Sequence, residues 1–273
     1  MSVATKQTTG GKVWDAARHL LDFLRAHADT YLLHGTHVME CGAGTGYLGM
    51  CIAHERNTLG RMLLTEMIDG GALEWLELNV SRNRAAGCEL GRLETAAFDW
   101  AWCDSPNEPA ASGVVDHAWD LVLGSDLVYN DVGVQMLPRV FARLLSARDG
   151  ASALYAHTLG RFEFLDYEFH RSLDASGLQR EQVWPEPSPD EAKADGSSAH
   201  DEQLPSKDGV DSEEDEGFGS FSGELFPEPR VVIYRLTLRT AAAHRTPGPT
   251  TIHTTIASSG VADETPEPPS VCG

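Results

Sequence analysis

Thr36-His37-Val38-Met39-Glu40-Cys41-Gly42-Ala43-Gly44-Thr45-Gly46 is the stretch on which the fold turns. Residues 36–41 read as a strand, the glycines of 42–46 stop it, and Tyr47 to His54 reads as a helix. Glycines between a strand and a helix let a ligand approach the backbone where the first free N–H groups of the helix point outward. Taken alone the turn has three readings. It can be a plain structural corner, it satisfies G-x-G-x-x-G through Gly44, Gly46 and Gly49 and so admits a dinucleotide, or it serves another adenosine cofactor.

Working outward, strand and helix alternate along most of the chain. Ala17, Leu20, Leu21, Leu24 and Ala28 recur at helical spacing between Trp14 and Ala28, with charged residues filling the other positions. Downstream, strands are expected at 61–66, 92–98, 119–126, 151–158 and 178–184. Helices are expected from an Asp69 cap to about Arg84, near Val132 to Leu145, and from about Phe162 to Ala175. PRVVIYRLTLR at 229–239 is a strand that follows 178–184 with no helix between, so the two pair antiparallel. The pattern predicts an α/β fold, a doubly wound, mainly parallel seven-stranded sheet with helices on both faces and an antiparallel last strand. Ligands of such sheets bind beyond the carboxyl ends of the strands, which directs attention to the residues just after 41, 66, 100 and 124.

The 273 residues are 41% apolar, enough for a core of ordinary size, and carry a net charge of −20. That charge disfavours a phosphate backbone as partner. It is also unevenly placed, since residues 185–229 hold 14 acids and only Lys193 and Lys207, a net −12. We read 185–229 as a disordered acidic insertion in a domain spanning 11–239, with loose segments at 1–10 and 240–273. A charge run of this kind is ordinarily a solvated loop; placed near the sheet edge, it also offers a means of steering a basic protein towards the ligand site. The five cysteines form no C-x-x-C pair, the N-terminus lacks the apolar run of a signal peptide, and no 18-residue apolar stretch occurs. These features predict a soluble monomer of a reducing compartment, cytoplasm or nucleus, without membrane or metal. The histidines, His34 and His37 among them, show no convincing ligand set and read as surface residues.

Two features favour S-adenosylmethionine over a dinucleotide. Glu40 directly precedes the glycines, where a carboxylate suits an ammonium or sulfonium and repels a pyrophosphate. The second is the order of the remaining motifs. Gly11-Lys12-Val13-Trp14, Glu40 to Gly46, Thr65-Glu66, Leu76 to Asn83, Phe98-Asp99-Trp100 and Ser125-Asp126-Leu127-Val128-Tyr129 follow one another as in the seven-β-strand methyltransferases, and within them the chain resembles the family 16 protein-lysine methyltransferases. Glu66 stands where the family commonly has Asp, and Cys41 where it usually has Leu.

The resemblance implies a Rossmann-like methyltransferase sheet that binds S-adenosylmethionine through Trp14, Glu40, Gly42, Ala43, Gly44, Glu66, Trp100 and Ser125. It implies an acceptor site at Asp126 and Tyr129, where Asp126 holds the incoming lysine of a protein substrate and Tyr129 shapes its channel. Seen singly, Asp126 is a capping residue, Tyr129 a core tyrosine, and Trp14 and Trp100 core anchors. The same fold also serves arginine, histidine or small-molecule acceptors, or binds its cofactor as an adaptor without turnover.

Overall fold

The computed structural model describes residues 9–104, 113–186 and 230–239. Seven strands form one sheet, β1 (His37–Glu40), β2 (Arg61–Glu66), β3 (Leu93–Ala97), β4 (Leu121–Ser125), β5 (Ser152–Leu159), β6 (Leu178–Trp184) and β7 (Arg230–Leu238), in the order β3-β2-β1-β4-β5-β7-β6. All described pairings among β1 to β5 are parallel, and β7 runs antiparallel to both β5 and β6. Six strands therefore share a direction and the last reverses, as expected from the sequence reading of 178–184 and 229–239 as an antiparallel pair.

The central strands β1, β2, β4 and β5 are buried on both faces, so their successive residues feed two separate cores. Val38, Leu121, Leu123, Leu154 and Ala156 join the core covered by α1 (Asp15–Ala26), α2 (Ala28–Tyr31), α3 (Tyr47–Glu55) and α4 (Ala72–Ala85). Met39, Val122, Ala153 and Tyr155 point the other way, towards α5 (Asp131–Leu145) and α6 (Glu163–Ala175). The amphipathic pattern that begins at Trp14 is interrupted at His27, whose backbone N–H and ring nitrogen both meet the Phe23 carbonyl, so it yields two helices and not one.

Asp69 does not cap α4. Residues Asp69–Gly71 form a 3-10 turn, and Gly70 and Gly71 take φ of 75° and 71°, left-handed values that delay the α-helix to Ala72. Asn130 does cap α5, its side-chain oxygen accepting the Gly133 N–H at 2.9 Å. Within the stretch read as a loose N-terminus, Thr9–Gly11 forms a 3-10 turn. The acidic stretch from 187 to 229 and the stretch from 240 onward lie outside the described residues. Among the described residues no helix is long and apolar enough to cross a membrane, and Cys41, Cys51, Cys88 and Cys103 are free thiols.

Candidate functional site

Parallel strands ending at Glu40, Glu66, Ala97 and Ser125 leave their carboxyl ends on one edge, and a cavity of about 690 Å³ opens there, within the usual range for a small-molecule site. The loop after β1 forms its floor. Gly42 and Gly44 have φ of 57° and 53°, and a Cβ at either would collide with a neighbour. On Gly42 it would lie 2.5 Å from the Leu127 side chain, and on Gly44 2.9 Å from the Gly10 carbonyl. The loop is therefore pressed between the N-terminal segment and the loop after β4, which only glycine allows.

Side chains from β2 and α4 hold that loop. Thr65 Oγ1 donates to the Glu40 carbonyl at 2.8 Å, the Gly44 N–H donates to Glu66 Oε2 at 2.8 Å, and Asn79 Nδ2 donates to the Thr45 carbonyl at 3.0 Å. Asn79 is 1% exposed, so the asparagine of the Leu76 to Asn83 motif acts on the loop and not on solvent.

Glu40 is 2% exposed, and its Oε2 accepts the Gly49 N–H at 3.0 Å. Burial pushes its carboxyl up to about 8; the Gly49 hydrogen bond opposes this and the charge of Glu66 adds to it. The cavity thus contains a buried carboxyl that a cation would ionise. Burial also raises the Glu66 carboxyl, opposed by the Gly44 and Met67 N–H groups. Each Glu66 oxygen receives one of these bonds, leaving a second lone pair on each for ligand hydroxyls.

All ten sequence-predicted site residues line this one cavity: Trp14, Glu40, Gly42, Ala43, Gly44, Glu66, Trp100, Ser125, Asp126 and Tyr129. The lining carries five carboxyl groups, from Glu40, Glu66, Asp69, Asp99 and Asp126, against the single ammonium of Lys12; Glu40 is held mostly neutral by burial and Asp126 is paired with Arg161, and the excess is still acidic. Such a field attracts a cationic ligand and repels a pyrophosphate.

Asp126 is placed in a way the sequence does not disclose. It has φ of 51°, which for a residue with a Cβ costs roughly 1–2 kcal/mol. Its carboxylate accepts the Thr158 N–H and Oγ1, both at 2.9 Å, and meets the Arg161 guanidinium at 3.2 Å, with its side chain only 3% exposed. Arg161 also lies over the Trp14 ring, 4.9 Å from its centroid. The guanidinium therefore joins the N-terminal segment to the loop after β4. Tyr129 is 43% exposed, and burial, with a smaller contribution from Glu66, raises its phenol, so it remains protonated at neutral pH.

A second tie to the same loop runs beneath it. Tyr155 Oη accepts the N–H groups of Leu127 and Val128 at 3.1 and 3.2 Å and makes a long contact of 3.5 Å with His157 Nδ1. His157 Nε2 meets Asp166 Oδ1 at 2.7 Å, and Gly160 N–H donates to Asp166 Oδ2 at 2.9 Å. Burial raises the Asp166 carboxyl, but the bonds from His157 and Gly160 outweigh it and hold it below the usual range. His157 is 2% exposed, which corrects its reading as a surface histidine. His37 is also only half-buried and bonded, its Nδ1 lying 2.8 Å from His117 Nε2. Among the described residues no group of His, Cys, Asp and Glu is arranged to hold a metal. Burial, followed by Cys103 and the neighbouring acids, pushes the Cys41 thiol well up, which keeps it an unreactive packing group.

Thr158, Arg161, Tyr155, His157 and Asp166 went unrecognised in the sequence. The sequence shows there only a strand at 151–158 and a helix from about Phe162.

The profile of a family described as lysine methyltransferase matches residues 2–162. Among curated proteins, EEF1A lysine methyltransferase 3 of Mus musculus is 33% identical over 122 residues, which are 43% of this chain and 43% of that protein. Protein-lysine methyltransferase METTL21E of Mus musculus is 29% identical over 140 residues, 51% of this chain and 53% of that protein. Protein-lysine N-methyltransferase EFM3 of Chaetomium thermophilum is 25% identical over 199 residues, 71% of this chain and 54% of that protein. The chain spans about half the length of the curated relatives it matches.

Proposed function

From the premise that the chain belongs to the lysine methyltransferase family, we propose that it is an S-adenosylmethionine-dependent enzyme that methylates a lysine side chain of another protein. The observation that carries this reading is the cavity after β1, β2 and β4, with its buried Glu40 carboxyl, its tight glycine loop and its excess of carboxylates. Glu40 would take the ammonium of the methionine half, Glu66 would accept the ribose hydroxyls, and Gly42, Ala43 and Gly44 would bring backbone against the ligand. Trp14, Trp100 and Ser125 complete the pocket. When bound, the cofactor supplies a methyl group on a positive sulfur.

The protein's own part would be to orient a neutral amine towards that methyl, to let its proton leave to solvent and to shield the methyl from water. Tyr129 is suited to the first task. An amine N–H donating to its hydroxyl oxygen is held in place with the nitrogen lone pair still free. Asp126 supplies a fixed negative charge beside the acceptor, and a lysine ammonium reaches Oδ2 by displacing Arg161. Proton removal then passes to water at the cavity mouth. The net charge of −20, with −12 of it in residues 185–229, supports a basic protein over nucleic acid as partner. The free cysteines of the described residues are in keeping with a reducing compartment such as the cytoplasm or nucleus.

Titration calorimetry with S-adenosylmethionine and with NAD tests the cofactor. Binding of the first and none of the second is expected, and the reverse overturns the proposal.

A further inference from the structure

Large apolar side chains standing singly on a surface are ordinary; gathered at one place they mark an interaction site. Among the described residues, all the exposed large apolar side chains except Leu33 lie just beyond three strand ends. Met67 and Ile68 follow β2, Tyr129 and Val132 follow β4, and Phe162, Phe164 and Tyr167 follow β5. Of this rim, Met67, Tyr129 and Val132 also line the cavity, and the end of β5 lies on the same edge of the sheet, beside that of β4.

The aromatic part is the most exposed, with the Arg171 guanidinium 5.9 Å from the centroid of the Tyr167 ring. Phe164 is 71% and Tyr167 62% exposed; three residues apart on α6, they share its outward face, while Asp166, Phe169 and Leu173 turn inward. Exposed acids are interleaved with the rim: Asp69 beside Ile68, Asp131 beside Val132, and Glu163 between the two phenylalanines.

We propose that this rim docks the protein substrate, and that the docked segment carries apolar or aromatic side chains next to its target lysine. The inference rests on the methyl-transfer reading and adds the chemistry of the partner. A small molecule held in the cavity would not reach Phe164 and Tyr167, and while a cationic side chain can lie over a ring as Arg171 does over Tyr167, covering both exposed rings calls for apolar surface as well. A segment with one lysine and apolar neighbours places the amine at Tyr129, covers the rings, and meets the interleaved acids with its positive charge. Rigid aromatic side chains at such a position carry much of a binding energy.

The test compares the full chain with the double variant Phe164→Ser/Tyr167→Ser and with Leu33→Ser as an exposed apolar control. Each is incubated with radiolabelled S-adenosylmethionine and a cell lysate, and its cofactor affinity and sedimentation are measured. The expected result is a labelled protein band whose initial rate falls about tenfold or more in the double variant, with unchanged cofactor affinity and a Leu33→Ser rate like that of the wild type. Equal labelling by all three overturns the docking surface and leaves methyl transfer standing. No labelled protein from a wild-type chain that binds the cofactor overturns the methyl-transfer reading, and the docking surface with it. A wild-type dimer that the double variant loses assigns the rim to a second copy and also overturns the proposal.

Discussion

Cofactor affinity should rise with pH over a window in which most methyltransferase side chains do not titrate, because of Glu40. Its carboxyl lies at about 8 in the free protein, so at pH 7 it is mostly neutral. Pairing with the ligand ammonium requires the ionised form, and ionising it at pH 7 costs about 1.4 kcal/mol, one pKa unit. Binding at pH 7 therefore releases most of a proton. Between pH 6 and 7 each unit removes about 1.4 kcal/mol of that cost, so affinity rises by about tenfold. Above pH 8 the carboxylate is already formed while the ligand amine, with an ordinary value of about 7.7–8.0, loses its own charge, and affinity turns down again. Titration calorimetry at pH 6, 7 and 8, repeated in buffers of different ionisation enthalpy, measures both affinity and proton release. In Glu40→Gln the rise from pH 6 to 7 should vanish. A flat affinity between pH 6 and 7 in the wild type, with no proton released, would refute the pairing of Glu40 with a cation.

Other perturbations probe the frame around the site. Tyr155→Phe removes the acceptor of the Leu127 and Val128 N–H groups; leaving buried donors unpaired should cost about 2 kcal/mol, read from denaturant unfolding, and should lower kcat while calorimetric cofactor affinity holds. Gly44→Ala sets a Cβ 2.9 Å from the Gly10 carbonyl at a φ of 53°, and should weaken cofactor binding by about tenfold, since roughly 1–2 kcal/mol of strain falls on the loop that contacts it. Deleting 186–228 should raise KM for a basic protein substrate and flatten its dependence on salt; kinetics identical to the full chain at every salt concentration would remove the steering role.

The fold was legible because its signals are local. The glycines of 42–46 punctuate a strand and a helix, and a strand pair without an intervening helix reverses the last strand. The cavity residues were legible for the same reason, since each of Glu40, Glu66, Trp100 and Ser125 sits at or just beyond a strand end and parallel strands gather those ends. What stayed hidden depends on contacts distant in sequence. The partners of Asp126 lie 32 residues away at Thr158 and further on at Arg161, and nothing in the spacing announces them. His157 resembles any polar residue in an apolar strand until Asp166, on the following helix, is seen to satisfy it. The Asp69 cap failed for a local reason that outweighed another, because two left-handed glycines override a favourable capping side chain.

The central claim is tested most directly by fragment-ion mass spectrometry of a lysate protein modified by the purified chain in the presence of S-adenosylmethionine. Added methyl groups on a lysine side chain are expected, absent without the cofactor and strongly reduced with Asp126→Ala. Methyl groups confined to arginine or histidine, or cofactor binding with no modified protein at all, would contradict it.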